Sequence, residues 1–373
     1  MSEDLPQTDA IKSLLIEEAP LLDVRAPGEF SEGAAPCARN IPLMNDRERH
    51  KVGLCYSESG QEAVIELGHQ LVSGETRAER VEGWLGFVKR NPNARLYCSR
   101  GGLRSKIAQQ WLHEAGVTVP RVAGGYKAIR RFLLDDLQAR CPELSLVVVS
   151  GRTGTGKTRL LHELPNPVDL EGLAAHRGSS FGRMLTPQPT QVDFENALAV
   201  ELMKADRPAG SPIHVEDESH LIGRRVLPTG LQQRMASAPL MILEQPLETR
   251  VEFILQDYVI DMSRAYMDRD GTEAGFAVFR EFLLGSLSRI RKRLGGLRHQ
   301  QLEGVMTEAL DAQEHNGDLE GHRQWIRTLL NDYYDPMYDY QLSRKQGTIA
   351  IRGSYEELLN WSRQADVSPA AST

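Results

Sequence analysis

A glycine loop that directly follows a buried strand limits the possible folds of this chain more than any other segment. The segment GRTGTGKT (Gly151–Thr158, the P-loop) fits the pattern G-x-x-x-x-G-K-[ST] and comes after the apolar run LVVVS. In that setting backbone N–H groups cradle a diphosphate or triphosphate, the lysine neutralises its oxygens and the threonine can ligate magnesium. The loop predicts an α/β domain with a phosphate site, without identifying the phosphate. The predicted phosphate-binding residues are Gly151, Gly154, Gly156, Lys157 and Thr158.

A P-loop that works with a magnesium nucleotide is expected to have an acidic partner at the end of a neighbouring strand. The segment PIHVEDES offers Glu216, Asp217 and Glu218 after a short β-like run. A second glycine-rich polar loop, DLEGLAAHRGSSFG (Asp169–Gly182), contains His176, which ordinary packing explains at least as well as catalysis does.

A cysteine begins another glycine turn, in LYCSRGGLRS (Leu96–Ser105). The order strand, cysteine, turn, helix places Cys98 at a helix N-terminus, where free N–H groups and the helix dipole favour an anion. Arg100 and Arg104 add positive charge, and the predicted anion-binding turn is completed by Gly101 and Gly102. A thiolate there can carry sulfur or selenium. The C-x5-R spacing also suits a cysteine phosphatase, and a buried core cysteine is the structural alternative.

The cysteines and the overall charge exclude several classes of protein. The four cysteines form no CxxC pair, so we predict no zinc knuckle, disulfide framework or resident metal. No apolar run approaches the roughly 20 residues that span a bilayer, and MSEDLPQTDA lacks the order of a signal peptide. The sequence therefore predicts a cytoplasmic protein without a membrane partner. A net charge of −7 argues against a general nucleic-acid coat but allows local basic patches.

The pattern of elements predicts an α/β fold in three parts. Strands are expected at Pro20–Arg25 and Ala94–Ser99, with a helix at Arg104–Gly116, so residues 1–138 indicate a parallel-sheet α/β domain. A polar break precedes residues 139–250, the expected P-loop NTPase-like α/β domain. Residues 251–373 are mostly helical in pattern and are expected to pack on the P-loop domain.

A basic segment, SRIRKRLGGLRH (Ser288–His299), is a candidate contact with RNA phosphates. Its expected apolar face comprises Leu287, Ile290, Leu294 and Leu297, and a solvated helix face is the alternative. The candidate RNA-binding residues are Arg289, Arg291, Lys292, Arg293 and Arg298. Further on, NDYYDPMYDYQL supplies four tyrosines that could stack on bases or pack in a core.

The segment LLDVRAPGEFSEGAAPCARNIPL resembles the start of rhodanese-type sulfurtransferase domains, which implies a structural role for Asp23 and Arg25. With YCSRGGLRS, GRTGTGKT, DLEGLAAHRGSSFG, VEDESHLIG and YYDPMYDYQL, nearly the whole chain closely resembles the bacterial tRNA 2-selenouridine synthase family. One departure is Ser99, because the family loop often has tryptophan after the cysteine. This change concerns local packing or base stacking more than the chemistry.

The resemblance implies two reactions on the wobble 2-thiouridine of certain tRNAs. Geranyl diphosphate first alkylates the sulfur, and selenium from selenophosphate then replaces the geranylated sulfur. Cys98 is expected to accept or position the selenium, while the P-loop holds the diphosphate of geranyl diphosphate. No tightly bound cofactor is implied, and a selenophosphate-producing enzyme is a candidate partner.

Two other functions fit the same motifs. The first is a rhodanese-like sulfurtransferase fused to an ATP-dependent kinase or ATPase that acts on a small molecule and needs no RNA surface. The second is a non-catalytic regulatory protein, against which the cysteine in its activating loop argues.

Overall fold

Residues 5–206 and 211–367 are described by a computed structural model, in which parallel sheets alternate with helices. The strands are β1 (Gln7–Thr8), β2 (Leu21–Asp23), β3 (Ala38–Asn40), β4 (Arg95–Tyr97), β5 (Arg121–Val122), β6 (Leu146–Ser150), β7 (Pro167–Val168), β8 (Ile213–Glu216), β9 (Leu221–Ile222), β10 (Arg225–Val226), β11 (Leu240–Leu243) and β12 (Ile349–Gly353). The helices are α1 (Ile11–Ile16), α2 (Pro27–Ser31), α3 (Asp46–Leu71), α4 (Gly74–Arg90), α5 (Leu103–Glu114), α6 (Gly125–Arg140), α7 (Lys157–Glu163), α8 (Leu170–Ala174), α9 (Gln191–Ala205), α10 (Thr229–Ser237), α11 (Leu247–Ile254), α12 (Asp261–Asp270), α13 (Thr272–Arg289), α14 (Arg291–Leu294), α15 (Gly296–Asn316), α16 (Glu320–Leu329), α17 (Asp335–Ser343) and α18 (Tyr355–Val367). Leu255–Ile260 and Leu330–Tyr334 are π-helical turns, and Cys141–Glu143 is a 3-10 turn.

The chain divides into two units, each built on its own parallel sheet. The first unit extends to Ala139 and takes in Pro189–Lys204, so α9 packs with it. In α9, Asn196 donates to the Ala34 carbonyl at 2.7 Å. The sequence of α9 lies inside the 139–250 range expected for the P-loop domain. This return of the chain was not foreseen, because it depends on contacts between distant segments.

Strand β4 lies in the middle of the first sheet, whose parallel strands follow the order β1–β5–β4–β2–β3. Leu22 in β2 and Leu96 in β4 are fully buried, and α5 packs against β4 with its own buried face. Loops that carry chemistry lie at the carboxyl ends of parallel strands. Cys98 directly follows β4 and therefore emerges at that edge.

Strand β6 lies in the middle of the second sheet, whose parallel strands follow the order β12–β11–β6–β8–β7. Every residue of β6 is buried, as expected for a central parallel strand covered on both faces. The strand leads directly into the P-loop and then into α7. The predicted α/β class with parallel sheets is confirmed.

Strand β12 was not predicted within the mostly helical part beyond residue 251. It pairs in parallel with β11 and forms one edge of the second sheet. The segment TIAIRG gives only a weak signal, because this edge strand has five residues and none of them is buried. The second sheet is thus completed by residues from the C-terminal part.

The helices from α11 to α16 have an apolar core of their own, to which Phe279, Leu283 and Trp325 belong. The predicted helical character of most of this part is confirmed. Among the described residues, no helix combines the length and apolarity needed to cross a membrane.

Candidate functional site

The thiol of Cys98 lies inside the turn between β4 and α5. The residue is only 3% exposed, and its Sγ donates to Ser105 Oγ at 3.2 Å. Ser105 Oγ in turn donates to the Gly102 carbonyl at 3.0 Å. The hydroxyl can reverse its role and donate to a thiolate, so Ser105 is suited to stabilise the anionic form of the sulfur.

A second glycine turn packs against the cysteine turn. Gly124 and Gly125 have φ angles of +70° and +58°, which glycine adopts readily. A Cβ on Gly125 would lie 2.2 Å from the Cys98 carbonyl oxygen, so no side chain fits there. Tyr126 N donates to that oxygen at 2.8 Å, and Lys127 N donates to the Ser99 carbonyl at 2.9 Å. The contact of this turn with the cysteine loop was not predicted from the sequence.

The arginines beside the thiol have different surroundings. Arg100 is exposed, and within the described chain its side chain has no hydrogen bond or ion pair. Arg104 is paired with Glu29, with Nη2 donating to Oε1 at 2.9 Å. Burial acts to raise the pKa of Glu29, but the Arg104 guanidinium holds it below its ordinary value. An anion that bound Arg104 would therefore compete with this carboxylate.

The Asp23–Arg25 pair forms a buried support for the same loop. Arg25 Nη2 donates to Asp23 Oδ2 at 2.6 Å, and both residues are almost completely buried. The Arg25 guanidinium also lies 4.0 Å from the centre of the Tyr126 ring and 5.8 Å from that of Tyr97. These two tyrosines flank the cysteine turn, one directly before Cys98 and the other bonded to its carbonyl.

An apolar cavity of about 180 Å³ adjoins the first turn of α5. Leu103, which directly follows Gly101 and Gly102, is an apolar residue on that turn and is 42% exposed. The cavity is lined mainly by apolar side chains, most of them from α3 and α5, and these include Trp111. Such a space suits a hydrocarbon group, since an apolar cavity of about 150 Å³ can bind benzene.

The P-loop has the geometry of a phosphate cradle in the second unit. Gly154 and Gly156 have φ angles of +81° and +84°, and a Cβ on Gly154 would lie 2.8 Å from Ile254. Lys157 Nζ donates to the Gly151 carbonyl at 2.8 Å, so the ammonium lies over the loop. Thr158 Oγ1 donates to Glu171 Oε2 at 3.4 Å. The predicted phosphate residues are thus brought together around one concave surface.

A buried ion pair that sequence reasoning missed supports the P-loop. Arg250 is 2% exposed, and its two terminal nitrogens donate to Asp335 at 2.9 and 2.5 Å. Arg250 Nε donates to the Thr153 carbonyl at 2.9 Å. The only sequence signal was the motif YYDPMYDYQL, which contains Asp335.

The candidate acids after β8 fall into different places. Asp217 and Glu218 line the P-loop cavity, whereas Glu216 is buried behind it and accepts from Leu170 N at 2.8 Å. The carboxyl groups of Glu218 and Glu171 both lie next to Gly178. A Cβ on that glycine would lie 2.7 Å from an oxygen of Glu218 and 2.9 Å from an oxygen of Glu171. Burial and the neighbouring Glu171 charge raise the pKa of Glu218 well above its ordinary value. The two carboxyl groups therefore favour a state in which they share one proton.

The P-loop cavity is large, at about 740 Å³. Arg177 and Lys345 contribute positive charge to its wall, and Tyr258 and Met337 contribute apolar surface. Burial raises the pKa of Tyr334, another lining residue, to about 12. The cavity therefore combines a phosphate cradle and acids with room for an apolar group.

The basic segment is divided by turns and is not one helix. Gly295, with φ +89°, separates α14 from α15. Leu287, Ile290 and Leu294 are buried as expected, but Leu297 is 71% exposed, so its predicted burial is wrong. The break in the helix is the reason. The candidate RNA-binding side chains are all exposed: Arg289, Arg291, Lys292, Arg293 and Arg298.

The four tyrosines of NDYYDPMYDYQL take different environments. Tyr334 is buried, and Tyr333 packs partly against the helical core. Tyr338 shares a hydrogen bond of 3.1 Å with Ser150 Oγ, at the start of the P-loop. Tyr340 is 62% exposed, which suits base stacking better than core packing.

Comparison with known proteins finds relatives along nearly the whole chain. The family model described as the tRNA 2-selenouridine synthase AAA domain matches residues 144–368. The tRNA 2-selenouridine synthase of Marinobacter nauticus is 57% identical over 96% of this chain and 98% of the relative. The proteins of that name from Pseudomonas syringae pv. syringae and Shewanella sediminis are 51% and 46% identical, over 95% and 97% of this chain and 96% and 98% of theirs.

Proposed function

The chain belongs to the tRNA 2-selenouridine synthase family, and on this premise we propose that it replaces the sulfur of a wobble 2-thiouridine in tRNA with selenium. It would act as a cytoplasmic transferase. The observation that carries the proposal is the presence of two glycine turns with complementary chemistry. One holds a thiol at a helix N-terminus, and the other is a phosphate cradle with a lysine.

The P-loop unit is assigned the first step, in which geranyl diphosphate alkylates the thiouridine sulfur. A bond forms between sulfur and the geranyl carbon while the carbon–oxygen bond to diphosphate breaks, and N3 of the base loses its proton. Lys157 and the loop N–H groups would stabilise the departing pyrophosphate. The cavity of about 740 Å³, with Tyr258 and Met337 in its wall, supports this assignment because the donor has an apolar chain.

Magnesium fits the oxygen donors beside the P-loop. Thr158 Oγ1 and a carboxylate of Glu171 or Glu218 would hold the ion, which would neutralise charge on the diphosphate. In the described part of the chain, no three His, Cys, Asp or Glu side chains form a metal-binding group. The ion would therefore depend on phosphate oxygens as further ligands.

The cysteine loop is assigned the second step. Selenium from selenophosphate forms a bond to C2 of the base, the carbon–sulfur bond breaks, and geranylthiol leaves with a proton. Hydrolysis of the phosphorus–selenium bond releases inorganic phosphate. Cys98 and the turn amides would position the donor, and exposed Arg100 would pair with its phosphate. The adjoining apolar cavity of about 180 Å³ supports this step as a place for the terpene chain.

Mass spectrometry of nucleosides tests the proposal. The purified protein is incubated with tRNA that contains 2-thiouridine, first with geranyl diphosphate and then with selenophosphate. We expect geranylated thiouridine followed by selenouridine, and absence of both products would overturn the proposal.

A cysteine variant tests the division of labour between the steps. Cys98→Ala should abolish selenation, a loss of at least about 10³-fold, while geranylated tRNA still accumulates. Cys55→Ala, a half-exposed cysteine in α3, is the matched control and should leave both products unchanged. Selenouridine from the Cys98 variant would refute the assignment of the thiol.

A further inference from the structure

Several cations of the second unit are left without acidic partners, although the chain as a whole is acidic. Surface arginines elsewhere in this unit are commonly paired, as in Arg280–Glu314, Arg323–Glu252 and Arg327–Glu248, at 2.8, 2.6 and 2.5 Å. A different group has no side-chain hydrogen bond or ion pair within residues 5–206 and 211–367: Arg183, Arg291, Lys292, Arg293 and Arg298. Such cations are available to an external anion.

A short loop brings one of these cations beside the basic segment. The chain folds back between His176 and Arg183, which form an antiparallel bridge, and Arg177 N donates to the Gly182 carbonyl at 2.8 Å. Arg289, at the end of α13, donates from Nη2 to the Ser180 carbonyl at 2.7 Å. The loop 176–183 is thus hydrogen-bonded to the end of α13, where the basic segment begins.

The charges at this junction repel one another. Burial and the charge of nearby Arg183 lower the pKa of Arg289, and burial with both arginines lowers the pKa of His176. His176 Nδ1 accepts from Gly178 N at 3.1 Å, which suits a neutral ring. Like charges held together are stabilised when an anion binds between them.

Part of the same loop faces the P-loop cavity. Arg177, Gly178 and Ser179 line that cavity. Arg177 is held there, since its Nη1 donates to the Asp257 carbonyl at 3.0 Å and its guanidinium lies 5.1 Å from the centre of the Tyr258 ring. A ligand bound at Arg183 would therefore contact a segment that also forms the wall of the phosphate site.

We propose that Arg183 and Arg289 bind a backbone phosphate of the substrate tRNA and that the loop 176–183 positions the RNA against the P-loop cavity. The inference rests on the proposed function, because it takes tRNA as the substrate. The cations of α14 extend the same basic surface, so further phosphates along the strand would bind there. Because one loop contacts both ligands, any change that diphosphate makes in the affinity for tRNA must be matched by the change that tRNA makes in the affinity for diphosphate.

Binding of 2-thiouridine tRNA to the full chain, measured across salt concentrations, tests the proposal. Arg183→Gln is the main variant, since it removes a charge without breaking a contact in the protein. We expect about tenfold weaker binding and a slope of log K against log salt that is shallower by about 0.7–0.9, the value of one phosphate contact. Arg289→Gln should show at least the same loss.

Arg323→Gln, an arginine already paired with Glu252, is the matched control and should bind as the unaltered protein does. Thermal melting of each variant identifies any loss of fold. If Arg183→Gln matches Arg323→Gln in affinity and salt slope while the unaltered protein binds tRNA, this inference is wrong and the proposed function stands. If the unaltered protein binds no tRNA and makes no modified nucleoside, the proposed function fails as well.

Discussion

The two glycine turns are each supported by a buried arginine–aspartate pair, but the pairs reach their turns in different ways. In the first unit the partners, Asp23 and Arg25, are two residues apart, and they act through the tyrosines on either side of Cys98. In the second unit Arg250 and Asp335 are 85 residues apart, and Arg250 donates directly to the P-loop carbonyl of Thr153.

This difference shows how each site depends on the rest of its unit. The cysteine turn receives its support from a neighbouring strand of the same sheet. The P-loop receives it only when α11 and α17 have packed together, because these elements carry the two partners. The helical part therefore supports the P-loop through Arg250 and Asp335.

Removal of each aspartate is the strongest test of the comparison. Asp23→Ala and Asp335→Ala should each cost about 3–5 kcal/mol of unfolding free energy, because an arginine is left buried without its partner. For units of this size that lowers Tm by roughly 2–4 °C per kcal/mol. Asp23 is fully buried and Asp335 is 9% exposed, so we expect the larger loss for Asp23. Calorimetry of the full chain measures both.

The exposed pair Arg327–Glu248 is the control for these variants. Glu248→Ala should leave Tm unchanged, because solvent screens this pair. The comparison breaks if Asp335→Ala melts like the control, or if it impairs selenation of geranylated tRNA while sparing geranylation.

A variant of the P-loop lysine tests whether the two turns carry out different reactions. Lys157→Ala should slow geranylation by about 10²–10³-fold, because one preorganised donor to the developing charge is removed. The same variant should selenate tRNA that has been geranylated beforehand at the normal rate. Single-turnover assays with each tRNA measure the steps separately. Equal loss in both assays would mean that one site serves both reactions.

The parts of the site that the sequence predicted are those written in short segments. The P-loop and the cysteine turn each lie within about ten residues, so local spacing indicated them, and the resemblance to rhodanese-type domains indicated the Asp23–Arg25 pair. The resemblance to a known family added the chemistry. The central strands could be placed because their apolar runs end at these turns.

The parts that the sequence did not predict depend on segments that meet in space. Arg104 was expected to hold an anion, but nothing local indicated its pairing with Glu29, 75 residues away. The close approach of Gly125 to the Cys98 carbonyl oxygen was likewise not predicted. The burial expected for Leu297 failed because a regular helical period was continued through Gly295.

The carboxyl pair beside the P-loop gives the smallest and most specific expected effect. Burial and mutual repulsion raise the pKa of Glu218 above its ordinary value of 4.5, with Glu171 also raised by burial. A raised carboxyl pKa in the folded state favours the protonated form. The protonated Glu218 therefore contributes its full stability below the pKa of the unfolded state. This contribution is lost as the pH rises through the pKa of the folded state.

Glu218→Gln imitates the protonated acid at every pH and should therefore be more stable than the unaltered protein at neutral and alkaline pH. The gain in Tm should be a few degrees, should shrink as pH falls, and should vanish below about pH 4.5, where Glu218 is protonated in both states. Glu248→Gln is the control, because solvent screens the exposed Arg327–Glu248 pair and this variant should keep the Tm of the unaltered protein at each pH. A gain in Tm for Glu218→Gln that does not change with pH would show that packing, and not a shared proton, governs this pair. The pH-dependent gain would instead show that Glu218, beside the P-loop, holds a proton in the folded state because of its burial and the neighbouring Glu171 charge.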